Sequence, residues 1–244
     1  MASAFHGMQY IMKRILLFVF LFHHQCGLAQ LDFKNSNIGR VMEFTDLDGH
    51  SLLRQYDPDV TGSPFINDNW VLAKITLTKG KEIGPLAIKF NVESNELYFL
   101  DSAGKVMIAV DGLIKRVDCV DYYSKDGIKF VFKNGYPAVD EQNQNYYYQV
   151  FTEGKVELLV KKYKYVRVAK DELSGVITKE FVDGAALLYV YAENIIQAFH
   201  PTKTFLLSIM KDKVEIVKLF IDANKMNLKS VPDLVKLFNY YNSQ

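Results

Sequence analysis

Turn-forming dipeptides cut residues 70–199 at short intervals: Lys79-Gly80, Ser94-Asn95, Ala103-Gly104, Asp126-Gly127, Asn134-Gly135, Glu153-Gly154 and Asp183-Gly184. Signals spaced this closely leave room for strands between them but not for helices, so the pattern predicts an antiparallel meander. Alternation agrees. Ala73, Ile75 and Leu77 oppose Lys74, Thr76 and Thr78, and Ile128, Phe130 and Phe132 oppose Lys129 and Lys133. Strands of this kind bury one face and wet the other. Parallel βαβ units need crossovers of a dozen or more residues, and the intervals are too short and too polar to hold them. Rossmann-type and α/β-barrel enzymes are thereby disfavoured.

After His200-Pro201 the period changes from two to 3.6. A short helix is expected over 202–210. Asp212 with Glu215 reads as a capping box for a helix bearing Val214, Val217 and Ile221 on one side, with Ile216 and Phe220 adjacent. Ser230 with Asp233 reads as a second box. The last helix then sets Val231, Leu234, Val235, Phe238 and Tyr241 on one stripe, and Pro232 falls in the first turn, where it is tolerated. Strands first and helices last predict an α+β fold: a mainly antiparallel β meander, as a curved sheet or partly open barrel, followed by a C-terminal helical segment that covers part of it.

The N-terminus carries an address. Lys13 and Arg14 precede an apolar run over 15–22, and Gly27-Leu28-Ala29 follows. Basic residues, a run too short to span a bilayer and small residues ahead of a cleavage point make residues 1–29 a secretory signal peptide, cut after Ala29. The tripartite pattern begins at Met12, so residues 1–11 are an over-extended start or a long leading region. Cleavage leaves no transmembrane helix in the chain. It also removes His6, His23, His24 and Cys26, leaving Cys119, His50 and His200. One cysteine allows no internal disulfide, and one thiol with two distant histidines cannot build a zinc site. Cys26 lacks the flanking residues of a lipid-attachment signal, since His23 and Gln25 stand where an aliphatic and a small residue belong. Cys119 shares a face with Val117 and reads as a buried, inert thiol.

Residues 30–69 are rich in Asp, Asn and Gly, with a strand expected only over 41–44. They are read as an irregular arm lying on a single domain, residues 70–244, whose helices occupy about 202–242. With 29 basic against 28 acidic residues, nothing points to a nucleic-acid partner. An apolar fraction of 49%, 14% of the chain being aromatic, predicts a folded globule.

Several constellations bear on chemistry. Asp57-Pro58-Asp59-Val60-Thr61-Gly62 followed by Asp68 has the oxygen spacing of a calcium loop, but Pro58 and Pro64 oppose the winding and no helices flank it, so turn geometry is the expected role. Asp46-Leu47-Asp48-Gly49 is likewise read as a turn. Gly-x-Ser-x-Gly and phosphate-cradling Gly-rich loops are missing, and His200 sits directly before a proline. No catalytic, metal or cofactor residue is assigned. Tyr146-Tyr147-Tyr148 lies near Tyr163 and Tyr165 on the next expected strand, among Lys155, Lys161, Lys162, Lys164 and Arg167. Tyr146, Tyr148, Lys162, Tyr163, Lys164 and Tyr165 therefore form a candidate binding surface, since rings and cations on one face can stack on glycan, lipid headgroup or peptide. The competing reading is cross-strand aromatic packing beside a solvated lysine row.

Three segments carry a resemblance. Gly62-Ser63-Pro64-Phe65-Ile66-Asn67-Asp68, residues 147–163 with Glu153-Gly154-Lys155-Val156, and the ending from Asp212-Lys213 to Asp233-Leu234-Val235-Lys236-Leu237-Phe238-Asn239-Tyr240-Tyr241-Asn242 resemble a family of exported proteins of unknown function common in Bacteroidota. The resemblance implies an exported bacterial protein and brings no catalytic residues with it. The expected function is a non-enzymatic binding or interaction protein of the bacterial envelope, periplasmic, cell-surface or extracellular, with an envelope protein, glycan or lipid as partner. The alternative is an envelope-polymer hydrolase using paired carboxylates, whose pairing is spatial and leaves no spacing to read.

Overall fold

The computed structural model describes residues 56–244; the expected signal peptide over 1–29, the expected strand over 41–44, the expected turn at Asp46-Leu47-Asp48-Gly49 and His50 lie outside the described residues. Among the described residues are thirteen strands: β1 Val60–Thr61, β2 Val71–Leu77, β3 Glu82–Asn91, β4 Glu96–Leu100, β5 Val106–Ile108, β6 Ile114–Tyr123, β7 Lys129–Lys133, β8 Tyr148–Thr152, β9 Val156–Lys161, β10 Lys164–Lys170, β11 Ile177–Asp183, β12 Leu187–Ala192 and β13 Ile195–Ala198. The helices α1 Lys203–Ile209, α2 Val214–Ala223 and α3 Val231–Ser243 follow, with a 3-10 turn Lys211–Lys213 ahead of α2. The α+β plan is thus a β meander closed by a helical segment. Five of the seven turn dipeptides are hairpin turns. Asn134-Gly135 instead opens a long loop, and Asp183-Gly184 marks a change of sheet.

The meander is interrupted twice. The large sheet has ten strands in the order β13-β12-β9-β8-β7-β6-β2-β3-β4-β5, so β6 returns to β2 instead of extending from β5. The hairpin β10–β11 leaves this sheet altogether and, with β1 parallel to β11, forms a second sheet of three strands. The large sheet curls without closing. Phe90 on β3 stacks on Phe132 of β7 at 4.5 Å between ring centroids, although β2 and β6 lie between them and three strand spacings would separate them by about 14 Å in a flat sheet. Asn95, in the β3–β4 turn, exchanges hydrogen bonds with both backbone groups of Tyr147 at 2.8 and 3.1 Å, holding the curl.

The expectation of one wet face holds at β2, where Ala73, Ile75 and Leu77 are buried, but not at β8, β9 and β12. The run Val156-Glu157-Leu158-Leu159-Val160 lacks alternation because both sides are covered. Leu158 pairs with Val190 toward the helices, where Leu206, Met210, Val217, Leu234, Leu237 and Phe238 complete a core. Leu159 pairs with Tyr189 on the other side, where Tyr136 and Val139 of the 134–147 loop lie over Tyr148 and Val150. Glu157 is carried inward there and is held by Tyr136 Oη at 2.5 Å and Lys133 Nζ at 2.9 Å.

The helices begin close to where the sequence places them, with different caps. Thr202 Oγ accepts from the Phe205 N–H at 3.2 Å, an N-cap for α1. Asp212 makes no cap, because the 3-10 turn moves the N-cap to Lys213. Ser230 is the N-cap of α3 but makes no side-chain bond, and Asp233 accepts from the Asn227 N–H instead. The buried stripe of α3 is Leu234, Leu237, Phe238 and Tyr241, so Leu237 joins it, while Val231 does not and Val235 is only partly buried against it. At the end of α3, Asn242 straddles the β8–β9 turn: its amide donates to the Glu153 and Val156 carbonyls at 3.1 and 2.9 Å and accepts from the Val156 N–H at 3.1 Å. Gly154 is required there, since a Cβ would stand 2.6 Å from Asn242 Cγ.

Candidate functional site

The six residues of the candidate surface do not share one face. Tyr148 is 1% exposed and belongs to the tyrosine layer with Tyr136 and Tyr189, so it is withdrawn from any surface. Tyr146 packs against it at 5.0 Å between centroids, and burial pushes the Tyr146 hydroxyl up to about 12. Lys162 lies half-buried over the Phe130 ring at 5.0 Å, and desolvation lowers its pKa, opposed by the charge of Asp183. The two tyrosines behave as the cross-strand packing reading expects, whereas Lys162 is desolvated against Phe130 instead of standing in a solvated lysine row. The physical reason for the split is that β9 ends at Lys161: the next residues turn away into the second sheet, so Tyr163 and Tyr165 are not strand neighbours of Tyr146 and Tyr148.

Tyr163, Lys164 and Tyr165 do come together, at the root of the β10–β11 hairpin. The two rings lie 6.4 Å apart, and Gly184 passes under the Tyr163 ring so closely that a Cβ would fall 2.2 Å from it. The root is tied to the arm. Lys164 Nζ donates to the carbonyls of Ser63 and Phe65 at 3.0 and 2.7 Å, Tyr56 meets Phe181 edge to face at 4.9 Å, and Asp57 takes Lys179 Nζ at 2.5 Å. Asp57 also accepts from the Asp59 N–H, so the calcium-like spacing is used as a turn and an ion pair. No group of three or more potential metal ligands occurs among the described residues.

Beyond its root the hairpin stands exposed on both faces. Val168 is 62% exposed, Ile177 59%, Val176 56%, and Leu173 at the tip is fully exposed. With Tyr165 these make five of the thirteen large exposed apolar side chains among the described residues, gathered between Lys164 and Asp183. The turn that carries them is well built. One carboxylate oxygen of Asp171 accepts from the N–H groups of Leu173 and Ser174 at 3.0 and 2.7 Å and from the Ser174 hydroxyl at 2.9 Å. Its pKa is lowered, first by the Ser174 N–H and then by the hydroxyl. Gly175, at φ +72°, completes the turn. Leu173 and Val176 lie outside any alternation, so periodicity does not reveal them; the available signal is the Ser174-Gly175 turn between two strand-like runs.

A second feature is a hollow of about 280 Å³ between the β12–β13 hairpin and the end of α1. Val156, Val190 and Ile195 wall it, with Lys155, Glu193 and Asp212 among its polar lining. Asp212 is engaged: Lys155 Nζ at 2.5 Å and the Tyr241 hydroxyl at 2.7 Å both bond its carboxylate. Elsewhere Glu153 and Glu157 approach one another through Lys133, at 3.8 and 2.9 Å, and Arg116 bonds both Asp118 and Glu153. Carboxylates do converge, but around cations that neutralise them. This is the geometry of a structural ion-pair network.

No protein-family model matches the chain, and no curated protein or solved structure matches it.

Proposed function

We propose that the protein is an exported, non-enzymatic binding protein of the bacterial envelope, and that the β10–β11 hairpin is its recognition surface. The observation that carries the reading is the gathering of Val168, Leu173, Val176 and Ile177 on a hairpin that is pinned at root and tip yet buries little of itself. Exposed apolar side chains collected on a rigid projection mark an interaction site better than a fold requirement. The basic and apolar pattern of residues 13–29, and the family resemblance of residues 62–68, 147–163 and 212–242, support export. No helix among the described residues is long and apolar enough to cross a membrane. Carboxylates neutralised by Lys133, Arg116 and Lys155 favour binding over polymer hydrolysis.

A photo-crosslinking residue at position 173 in producing cells, with one at the exposed Leu219 of α2 as control, tests the reading. The expected result is a discrete adduct from position 173 only, on a chain whose mass begins at or near Gln30. Full-length protein retained in the cytoplasm, or equal labelling from both positions, would contradict it.

A further inference from the structure

We propose that the open edge of β10 takes up an acidic, extended segment of a partner protein as a fourth strand of the small sheet; this rests on the hairpin being the recognition surface. In the order β1-β11-β10, β11 is paired on both sides and β10 on one. Among the described residues, β10 therefore presents a strand edge with backbone donors and acceptors free for a further strand. The edge is pre-formed. Lys164 fastens one end to the arm, and the Asp171 turn fixes the other, so little of the hairpin has to be ordered when a partner binds.

Charge selects the occupant. β10 reads Lys-Tyr-Val-Arg-Val-Ala-Lys, three cations and no acid. On its occupied side, β11 already supplies the complement: Glu180 stands opposite Arg167 and bonds it, Asp183 stands opposite Lys164, and Phe181 opposite Val166. A strand on the free side meets the same rows. It is accepted best with acids opposite Arg167 and Lys170 and an apolar residue opposite Val168, next to the exposed Ile177. Lys170 makes no ion pair among the described residues, Arg167 bonds Glu180 through Nε and Nη2 and keeps its Nη1 donors for a further strand, and Lys164 is already spent on two carbonyls, so Arg167 and Lys170 carry the selection. A second copy of the chain fits badly. Antiparallel pairing of two β10 strands about Arg167 sets Arg167 against Arg167 and Lys164 against Lys170, and like charges directly opposite are destabilising. The lysines thus guard the edge against self-association while leaving it open to an acidic strand.

The test titrates the full chain with two end-blocked nine-residue peptides of valine and threonine, one carrying two glutamates three residues apart so that they stand opposite Arg167 and Lys170 together, and one carrying lysines at the same two places. Calorimetry gives the affinity, and amide exchange reads residues 164–170. The glutamate peptide should bind at least about tenfold more tightly, since each cross-strand charge pair contributes a few tenths to about 1 kcal/mol and two pairs reverse sign. It should also slow exchange along β10. In a variant carrying Arg167→Gln and Lys170→Glu, both at exposed positions, the preference should vanish or invert with an unchanged circular dichroism spectrum. Equal affinity for both peptides, no binding of the glutamate peptide, or dimerisation through β10 in sedimentation would each overturn the proposal. If the glutamate peptide fails while position 173 still crosslinks, recognition by the hairpin stands and only the acidic strand falls; if both fail, both readings fall.

Discussion

Asp212 marks the limit of a local rule. Three residues before Glu215 it reads as a helix cap, yet in the fold it is the acceptor that ties α3 to the β8–β9 turn through Lys155 and Tyr241. The bonds from Lys155 and then Tyr241 lower its pKa from the ordinary carboxylate value to about 2. A carboxylate whose pKa is depressed on folding contributes stability that is fully present above its unfolded value, about 4, and is lost as pH falls through its folded value. The melting temperature of Asp212→Asn should therefore lie below that of the parent chain at pH 7, with the gap closing between about pH 4 and pH 2. A gap that stays constant over that window would show that the ion pair contributes nothing. Cys119 is the opposite case: its shared face with Val117 was readable from alternation, and burial pushes the thiol up to about 12, as an inert core cysteine requires.

Elements were legible where their signals are local. Hairpin turns at Gly80, Gly104, Gly127 and Gly154 and the buried Leu234, Phe238 and Tyr241 of α3 follow from a few adjacent residues, and they fall where the sequence puts them. The return of β6 to β2, and the departure of β10 and β11, are choices among strands far apart in the chain, and no local residue announces them. The double burial of β9 leaves a trace in the loss of alternation at Leu158-Leu159-Val160, which takes its meaning only from the helices and the 134–147 loop covering opposite faces. The same non-local assembly fixes how much α3 matters. Phe238 is fully buried between the sheet and the other helices, near Phe199. Phe238→Ala should cost about 3 to 5 kcal/mol in urea denaturation, the usual range for emptying a buried aromatic site. A loss below about 1 kcal/mol would mean that α3 is peripheral and that Asn242 and Asp212, not apolar burial, hold it.

At the scale of the molecule, the arm and the two sheets divide the work. The curled ten-stranded sheet with its helices buries the core, and β1 and the arm residues beside it hold the three-stranded sheet. Half of the sequence-derived surface dissolved into that core, since Tyr146, Tyr148 and Lys162 are packing residues. The other half, Tyr163, Lys164 and Tyr165, proved to be the root of the projecting hairpin, which no composition or spacing signal could set apart from the meander. The central claim is that this hairpin serves recognition and not stability. It is tested most directly by measuring, on one variant carrying Leu173→Asp and Ile177→Asp, both the urea midpoint and the retention of the partner crosslinked from position 173. An unchanged midpoint with retention lost is the expected result; a lowered midpoint with retention intact would contradict it.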